Sequence, residues 1–392
     1  MNILLIHPNF PGQFEYLAPF LARNPALRVA AVCRGVYGAV PDGVRIKTYR
    51  TDTEKIAPID ANLREAEAVV WAMRELQDSF RPDVVLGHSG WGGLMYLKAF
   101  FPSVRLIGYF EWYFGMLPAF EGIWYTGMTP EGRGVLFTQR NAALLAQLEA
   151  CDARVTPTEW QRSRFPAGYR PDMRVIHEGV DTEYFSPLAG QTLEKLIPGL
   201  TGGEEIVTCV SRGLEPTRRF PVLMDALRLL LARRPRCHAV IAGGEKTFYG
   251  PKPPDGKTWK QMEIEKGGYD PARVHFTGWL PGEDYRALLR ASTVHVYLTA
   301  PYVLSWSMVQ AMSAGCCVVA SAAPPVEEVI RDGVNGLLTE DTPERIADRI
   351  EEALEDAALR ERLRRSARET ILNRYRLEDC LRKQMNLLCG KE

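Results

Sequence analysis

Two arginines that follow a predicted buried strand could bind a phosphate group. Arg212 lies in the turn after the strand EIVTCVS (205–211), and Arg218 precedes a helix that we expect to begin near Pro221. In an open α/β sheet, ligands bind at the carboxyl ends of the strands. Two guanidinium groups at this edge would stabilise the charge of a departing diphosphate, each contact contributing about 1.5–3 kcal/mol. The pair is equally compatible with solvated surface charge.

A second candidate anion site lies in the segment PYVLSWSMVQAMSAGCCVVA (301–320). The pattern predicts a strand end, a polar turn, an apolar helix over 306–314, a glycine stop and a second buried strand. Ser305 or Ser307 can cap this helix, and its first backbone N–H groups can bind an anion. The turn therefore offers phosphate-binding groups just past a strand.

Two further strand ends carry candidate site residues. Gly243 and Gly244 end the strand HAVIAGG (238–244), where the lack of a side chain would let the backbone approach a ligand. A simple turn is equally compatible with this spacing. His88 follows the strand DVVLG (83–87). It could orient a substrate or move a proton, or it could be a capping or core residue.

Two segments of the amino-terminal part could also contact a substrate. Gly12 and Gln13 lie in HPNFPGQ, between the first strand and a helix, where an ordinary turn is the alternative. The run GYFEWYF (108–114) contains one carboxylate, Glu111, and several aromatic rings that include Trp112. Aromatic faces can stack on sugar rings, although packing in the domain core is the alternative for at least half of these rings.

These residues lie within a repeated alternation of short apolar runs and amphipathic segments. The first series of predicted strands is NILLI (2–6), RVAAVC (28–33), DVVLG (83–87) and VRLIGYF (104–110), and the second is EIVTCVS (205–211), HAVIAGG (238–244), VHFTG (274–278), VHVYL (294–298) and CCVVAS (316–321). The amphipathic segments between strands, such as 61–80 and 91–100, predict crossover helices and parallel sheets. Because a Gly-, Pro- and charge-containing break at about 177–204 separates the series, we predict two doubly wound α/β domains.

The overall composition excludes several classes of protein. The 392 residues exceed one ordinary core, and 46% of them are hydrophobic and 24% charged, as in globular proteins. With 48 basic and 48 acidic residues, the chain lacks the basic excess of a nucleic-acid-binding protein. No apolar run approaches the ~20 residues of a membrane span, and the start MNILLIHPNF lacks the features of a signal peptide. The eight cysteines form no C-x-x-C pair, which indicates reduced thiols, and the six histidines form no metal-binding pattern.

The ordered set of motifs resembles the retaining GT-B glycosyltransferases of family 4. The strand followed by Arg212, a loop, Arg218 and Phe220 resembles that family's R…K-G-F pattern, and 301–320 resembles its donor-site signature. The turn Gly-Val-Asp (179–181) resembles the one that closes the family's first domain. The resemblance covers nearly the whole chain. It implies the GT-B fold, an α/β architecture of two Rossmann-like doubly wound parallel-sheet domains that face a central cleft.

The resemblance also implies domain bounds and residue roles. We expect an acceptor-side domain over 1–185, a nucleotide-sugar donor domain over 186–376, and a C-terminal helix at about 377–392 that packs back on the first domain. The expected catalytic residues are His88, Arg212 and Arg218. The expected donor-binding residues are Gly12, Gln13, Gly243, Gly244, His275, Tyr302, Leu304, Ser305, Trp306, Ser307 and Gln310, with backbone groups near His275 contacting the nucleobase. The expected acceptor contacts are Glu111 and Trp112.

Two positions depart from the family's donor signature. Where the family has two glutamates separated by seven residues, this chain has Tyr302 and Gln310. The family's second glutamate holds the ribose hydroxyls, and a neutral glutamine would weaken this contact by about 1 kcal/mol, or several-fold in affinity. The first glutamate contacts the donor sugar, but related subfamilies carry an aromatic residue there. In the R…K-G-F pattern, Arg218 replaces the usual lysine, which keeps the charge but not the geometry. Arg219 replaces the usual glycine.

The implied activity is transfer of a sugar from a nucleoside diphosphate donor to an acceptor hydroxyl, with retention of configuration, by a hexosyltransferase. No cofactor and no metal are expected, since arginines and helix N–H groups would compensate the leaving charge. UDP or GDP is the expected donor nucleotide. The acceptor would be a carbohydrate, a lipid-linked molecule or a small molecule, in polysaccharide, glycoconjugate or glycosylated-metabolite synthesis. We expect a cytoplasmic protein without nucleic-acid partners, with peripheral contact to the inner membrane face if the acceptor is a lipid.

Three alternatives stay open at the level of sequence. A non-catalytic or partner-dependent GT-B protein is favoured by Tyr302 and Gln310, and is disfavoured by the retained Arg212, Arg218 and His88. A sugar-nucleotide epimerase would need acid and base carboxylates, and the sequence has no clear set of them. An NAD enzyme is disfavoured because G-x-G-x-x-G is absent after the first strand.

Overall fold

The computed structural model describes residues 1–54, 56–115 and 127–391, which fold into two compact units. The N-terminal unit contains the chain up to residue 115, Met128–Gly179 and the segment from Leu377 onward. The C-terminal unit contains Val180–Arg376. Each unit is built on a parallel sheet covered by helices, so the predicted α/β class with two Rossmann-like domains is confirmed.

The sheet of the N-terminal unit has its topological switch point beside the first strand. Its strands are β1 (Asn2–Ile6), β2 (Asn9–Phe10), β3 (Arg28–Cys33), β4 (Gly35–Val36), β5 (Val44–Thr48), β6 (Val84–His88), β7 (Arg105–Tyr109), β8 (Ala153–Thr156) and β9 (Met173–Val175). Among the described residues, one parallel sheet runs in the order β5-β3-β1-β6-β7-β8-β9, and β2 pairs separately with β4. From β1 the chain first adds β3 and β5 on one side and then returns to add β6 on the other side, so the strand order switches between β1 and β6. Such switch points are where α/β folds bind ligands.

Amphipathic helices cover this sheet. They are α1 (Leu17–Ala22), α2 (Pro58–Leu76), α3 (Leu97–Phe100), α4 (Pro130–Ala150) and α5 (Glu159–Arg164). In α2, Val69, Met73 and Leu76 recur at helical spacing and are buried in the core of the unit. The helix predicted over 91–100 is shorter than expected, because Gly92 adopts a left-handed φ of 83° and only the last residues are helical.

The C-terminal unit repeats this architecture. Its strands are β10 (Glu205–Gly213), β11 (Cys237–Gly244), β12 (Val274–Gly278), β13 (Val294–Tyr297), β14 (Val318–Ser321) and β15 (Leu337–Thr339). Its helices are α6 (Phe220–Arg233), α7 (Trp259–Lys266), α8 (Gly282–Ala291), α9 (Trp306–Ser313), α10 (Pro324–Glu327), α11 (Pro343–Glu355) and α12 (Ala357–Arg374). Within the described residues the sheet order is β12-β11-β10-β13-β14-β15, all parallel. The switch point lies between β10 and β13, next to Arg212 and Arg218.

The last helix, α13 (Leu377–Cys389), returns to the N-terminal unit. Leu381, Leu387 and Leu388 are buried in the same apolar cluster as β1 and α1. The Arg105 guanidinium donates to the backbone carbonyls of Leu387 and Leu388 at the end of α13, which satisfies two of the acceptors that a helix leaves unpaired. The N-terminal unit is therefore completed by a segment that follows the C-terminal unit in sequence.

Several short strands were not predicted from the sequence. For example, β5 (VRIKT) alternates apolar and charged residues, so it lacks the continuous apolar run of a central strand. All eight cysteines are free thiols, and seven of them are buried. None of the helices in the described part of the chain is both long and apolar enough to cross a bilayer.

Candidate functional site

Three neighbouring strands bring polar residues together at the switch point of the N-terminal unit. His7 follows β1, His88 ends β6 and Glu111 follows β7 by two residues. The His7 and His88 rings lie edge to face with their centroids 5.2 Å apart. The distance from His88 Nε2 to Glu111 Oε2 is 3.7 Å. Residues that are far apart in sequence thus form one cluster, because β1, β6 and β7 are adjacent in the sheet.

A hydrogen-bond chain links His7 to Glu111 through Gln13. His7 Nδ1 accepts from the backbone N–H of Asn9 at 3.0 Å, so the proton of the neutral ring is on Nε2. Nε2 donates to Gln13 Oε1 at 2.8 Å, and Gln13 Nε2 donates to Glu111 Oε1 at 2.8 Å. Burial lowers the pKa of His7 to about 3, with the charge of His88 acting in the same direction. His7 is therefore neutral at physiological pH, and Gln13 holds the carboxylate of Glu111 in place.

His88 is the member of this cluster that could act on a bound molecule. Its Nδ1 accepts from the Gly90 backbone N–H at 3.0 Å, and its ring packs against Trp91 and Tyr109 with centroid distances of 4.9 and 5.2 Å. Only 3% of the residue is exposed. Its Nε2 atom is buried and has no hydrogen-bond partner among the described residues. A fixed ring with one unsatisfied nitrogen is suited to bind or exchange a proton with a ligand.

The carboxylate of Glu111 stays ionised in this environment. Burial acts to raise its pKa, but the nearby His88 ring, 3.7 Å away, and the amide of Gln13 outweigh burial, and the net shift is downward. Glu111 is half-buried, whereas Trp112 is only 6% exposed. The burial of Trp112 favours core packing over the predicted contact with an acceptor. Gly12 has a φ of 51°, and a side chain there would collide with the His7 ring, so this glycine shapes the loop.

The C-terminal unit contains a small polar pocket at its own switch point. The pocket spans about 250 Å³, which includes space open to solvent, and its lining includes Arg218, Tyr297, Ser305 and Ser307. Arg218 Nη1 donates to Thr299 Oγ1 at 3.1 Å and to the Tyr297 hydroxyl at 3.5 Å. Arg218 therefore lies in a fixed position beside the turn that precedes α9.

The turn before α9 is held by hydrogen bonds of its own. Ser305 is the N-cap residue of α9, and its hydroxyl accepts from the Ser307 backbone N–H at 3.4 Å. The Ser305 backbone N–H donates to the Tyr297 hydroxyl at 3.0 Å. Leu304 is buried in the core, and Trp306 begins the helix. The positive end of the α9 dipole thus lies in the pocket that contains Arg218.

Arg212 lies at the exposed end of β10. Its guanidinium carbon is 4.1 Å from the centre of the Phe248 ring. No hydrogen bond or ion pair of its side chain is found within the described residues, so its N–H donors are available to a ligand. Arg212 and Arg218 are the two arginines at the carboxyl edge that the sequence singled out. Arg212 lies within β10, one residue before its end, and Arg218 lies on the connection between β10 and α6.

Contacts within the protein largely explain why Gly243, Gly244 and His275 occur at their positions. Gly243 has a φ of 151°, and a side chain there would collide with the backbone carbonyl of Ser211 on β10. A side chain at Gly244 would collide with the Trp279 indole, which is 66% exposed. His275 pairs with Val240 in the sheet register, before the carboxyl end of the strands.

The side chain of His275 faces another histidine and not the arginine pocket. Its Nε2 lies 3.1 Å from His238 Nδ1, and the two rings are stacked. Burial, followed by the charge of His238, lowers the pKa of His275. The structure therefore does not bring this side chain to Arg212 and Arg218. The predicted backbone contact with a nucleobase near His275 stays a prediction.

Two family models match consecutive parts of the chain. Residues 26–185 match the model described as "Glycosyl transferase family 4 group", and residues 193–370 match that described as "Glycosyl transferases group 1". The chain belongs to the GT-B glycosyltransferases of family 4-like type. The resemblance inferred from Arg212, Arg218 and the 301–320 segment is thus confirmed at the level of family and fold.

Individual relatives of this glycosyltransferase agree with that assignment. A D-inositol 3-phosphate glycosyltransferase from a Nocardioides species is 28% identical over 235 residues, which are 57% of this chain and 50% of that protein. The match thus spans half of that relative's length. Among solved structures, Anabaena HepE in complex with UDP has a TM-score of 0.74 at 18% identity, with both chains fully covered. A Rickettsia africae glycosyltransferase has a TM-score of 0.75 at 16% identity, and the match covers 100% of this chain and 98% of that chain.

The two departures from the glycosyltransferase signature have distinct surroundings. Tyr302 is 8% exposed, and its ring packs edge to face on Tyr249 with centroids 5.6 Å apart. Gln310 lies on α9, where its Oε1 accepts from the Tyr285 hydroxyl at 2.8 Å. Tyr285 belongs to α8 and carried no signal in the sequence, because its contact with Gln310 arises only from helix packing.

Arg219 replaces the family's glycine and has a backbone conformation that favours glycine. Its φ of 55° and ψ of 24° are left-handed, a conformation that costs a non-glycine residue roughly 1–2 kcal/mol. Its guanidinium forms an ion pair with Asp341 at 2.8 Å. The side chain points toward the loop before α11 and not into the pocket of Arg218. This ion pair offsets part of the strain that a glycine would avoid.

Proposed function

We propose that this protein is a retaining glycosyltransferase that moves a hexose from a nucleoside diphosphate to an acceptor hydroxyl. The observation that carries the proposal is the fixed guanidinium of Arg218, held by Thr299 and Tyr297 beside the N-terminus of α9. Groups fixed in advance around a site of developing negative charge lower the barrier for departure of that charge.

The C-terminal unit would bind the donor. Arg218 and the α9 N-terminus would contact the diphosphate, and Arg212 would add a second guanidinium at the same edge. As the glycosidic C–O bond breaks, its electrons move to the β-phosphate oxygen, where these groups stabilise the charge. We expect no metal requirement, since two arginines and a helix dipole supply this compensation.

The N-terminal unit would supply the groups that act on the sugar and the acceptor. His88 Nε2, buried and unsatisfied, would hydrogen-bond a sugar or acceptor hydroxyl. Glu111, kept ionised by its neighbours, would accept a hydrogen bond from a hydroxyl and orient it. In a front-face reaction, the proton of the attacking hydroxyl passes to the departing phosphate. The opposite face of the sugar therefore needs no catalytic group.

The nucleotide is proposed from the neighbours. HepE of Anabaena has been solved with UDP, with UDP and glucose, and with UDP-glucose. This supports UDP as the first candidate nucleotide for the present protein, with GDP second. The acceptor would be a carbohydrate, a lipid-linked molecule or a small molecule.

A second function is favoured by a specific observation. Tyr302 is buried against Tyr249, and Gln310 is neutral, so neither family carboxylate is present at the donor site. A GT-B protein that binds a nucleotide sugar without transferring it, or that acts only with a partner, would tolerate both changes. Transfer activity of the isolated protein distinguishes the two functions.

The proposal is tested by thermal unfolding with UDP, GDP, ADP, dTDP and their common sugars. A nucleotide at 100 times its dissociation constant stabilises the fold by about 2.7 kcal/mol, which is a readable shift. We expect a shift with one nucleotide and its loss in Arg212→Ala. If no nucleotide shifts the transition, the donor site is absent and the proposal fails. If Arg212→Ala responds as the wild type does, the phosphate contact is wrongly assigned.

Restoring the family's second carboxylate should strengthen donor binding. In Gln310→Glu, the carboxylate can still accept from Tyr285 and offers a charged acceptor to the ribose diol. We expect affinity for the donor to rise several-fold, by about 1 kcal/mol, as measured by calorimetric titration. The matched control is Gln261→Glu, which introduces the same charge in α7 at the N-terminal capping box. Equal affinity of Gln310→Glu and wild type would place the ribose elsewhere.

A further inference from the structure

A segment of the loop between β11 and α7 packs onto Arg212. This 246–249 segment has the sequence Lys-Thr-Phe-Tyr. The Phe248 ring lies against the Arg212 guanidinium at 4.1 Å, and the Lys246 ammonium approaches the same ring at 5.6 Å. Neither the sequence pattern nor the family signature assigns a role to these residues. Their contact with Arg212 connects the loop to the proposed diphosphate site.

A buried carboxylate anchors the 246–249 segment. Glu215 is 1% exposed, and its Oε2 accepts from the backbone N–H groups of Phe248 and Tyr249 at 2.6 and 2.9 Å. The Thr217 hydroxyl donates to the Tyr249 carbonyl at 3.1 Å. Thus both Glu215 and Thr217, which lie between the two arginines in sequence, hold the segment in place.

The close approach also requires a glycine. A side-chain carbon at Gly213 would lie 2.7 Å from the Lys246 carbonyl oxygen and 2.9 Å from the Phe248 ring. Both distances are shorter than real side chains allow, so only glycine admits the segment here. Gly213 therefore leaves room for the 246–249 segment and Glu215 binds it, and together they place Phe248 over Arg212.

The presence of Glu215 calls for an explanation in a site that would bind an anion. Burial raises the pKa of Glu215, although its two backbone hydrogen bonds and the charges of Arg218 and Arg212 act in the opposite direction. In its ionised form this carboxylate opposes the binding of a diphosphate by repulsion. Its two backbone hydrogen bonds give the explanation, because they fix the loop. Phe248 in turn covers one face of the Arg212 guanidinium, while the in-plane N–H donors of Arg212 have no partner within the described residues.

We propose that Phe248 is a positioning residue for diphosphate recognition. It holds the Arg212 guanidinium by its face, so that the N–H edge is directed at the phosphate oxygens, and Glu215 fixes Phe248 through the backbone. An aromatic face restrains a guanidinium without competing for its hydrogen bonds. This inference rests on the proposed donor site of the C-terminal unit.

The experiment compares diphosphate and monophosphate binding in variants of the full chain. UDP, GDP, ADP and dTDP, each with its monophosphate, are titrated calorimetrically into the wild type, Phe248→Leu, Phe248→Tyr and Arg212→Ala. We expect Phe248→Leu to weaken binding of the diphosphate about tenfold, as for loss of one oriented charge-assisted contact. Monophosphate affinity should change less than about twofold, a difference near the noise of a titration, and Phe248→Tyr should bind as the wild type does.

A double-mutant cycle distinguishes a positioning role of Phe248 from a purely structural one. In the Arg212→Ala background, Phe248→Leu should have no further effect on diphosphate affinity, because Phe248 acts through Arg212. The matched control is Tyr269→Leu, which removes an aromatic face from Arg228 in the same unit, at a distance of 5.7 Å. This control should bind the diphosphate as the wild type does.

The outcomes distinguish this inference from the proposed function. Diphosphate binding by the wild type with no loss in Phe248→Leu overturns the role of Phe248 and leaves the donor site standing. Additive losses in the double variant also overturn it, since Phe248 would then act independently of Arg212. No binding of any nucleotide to the wild type overturns the proposed function, and this inference falls with it.

Discussion

Replacement of Arg218 with methionine should lower sugar transfer by about 100- to 1,000-fold, the usual effect of removing one preorganised charge-stabilising donor. The guanidinium is fixed by Thr299 and Tyr297 beside α9, so it needs no rearrangement when the diphosphate gains charge. Methionine keeps the length of the side chain and removes its charge. Measurement of kcat and KM with the donor identified by unfolding would show a loss mainly in kcat.

Two further variants sharpen this prediction. Arg218→Lys restores the family's usual residue and should recover most of the activity, because a point charge suffices for phosphate. Arg273→Met removes an arginine at the amino edge of the same sheet, where it donates to the carbonyls of Leu231 and Arg234. It should affect stability and leave turnover unchanged. Wild-type turnover in Arg218→Met would exclude a role in charge stabilisation.

Replacement of His88 with asparagine should lower turnover by about 100-fold or more, within the range seen for groups that hydrogen-bond or exchange protons with a reacting centre. The asparagine Oδ1 takes the position of Nδ1 and can accept from the Gly90 N–H, so the local turn is kept. What is lost is Nε2, the buried nitrogen without a partner among the described residues. Steady-state kinetics and thermal unfolding of the variant separate catalysis from stability.

His177 offers an unusually close control for His88. Its Nδ1 also accepts from the backbone N–H two residues later, at 3.0 Å, and its Nε2 also lies 3.7 Å from a glutamate, Glu178. Like His88, it is buried in the N-terminal unit. His177→Asn should therefore reproduce the structural consequences of His88→Asn but not the kinetic one. Equal losses of turnover in both variants would reduce His88 to a structural residue.

The sequence predicted the parts of the site that depend on strand ends. Arg212, His88 and Ser305 each follow an apolar run, and the carboxyl ends of parallel strands necessarily meet at one edge. The continuity of buried strands makes such runs visible in a single sequence. For this reason the fold class and the strand-end positions of Arg212 and His88 could be predicted before the structure.

The contacts across the sheet edge could not be predicted in this way. Glu215 meets Phe248 across 33 residues, and Gln310 meets Tyr285 across 25. Neither pair has a spacing that reflects a helix or a strand, since each depends on how a loop or a neighbouring helix packs. The contact of the His275 side chain with His238 is a further pairing, across 37 residues, that no sequence spacing indicated.

The return of α13 to the N-terminal unit has a consequence for synthesis on the ribosome. Val180–Arg376 forms a continuous segment of the C-terminal unit and can fold as soon as it has emerged. The N-terminal unit, although made first, lacks α13 until Val180–Arg376 has been synthesised. Until then, the apolar surface that Leu387 and Leu388 cover stays open to water. The N-terminal unit is thus completed only after the C-terminal unit has been made. Throughout the synthesis of Val180–Arg376, the nascent chain exposes an apolar surface that can bind other apolar surfaces.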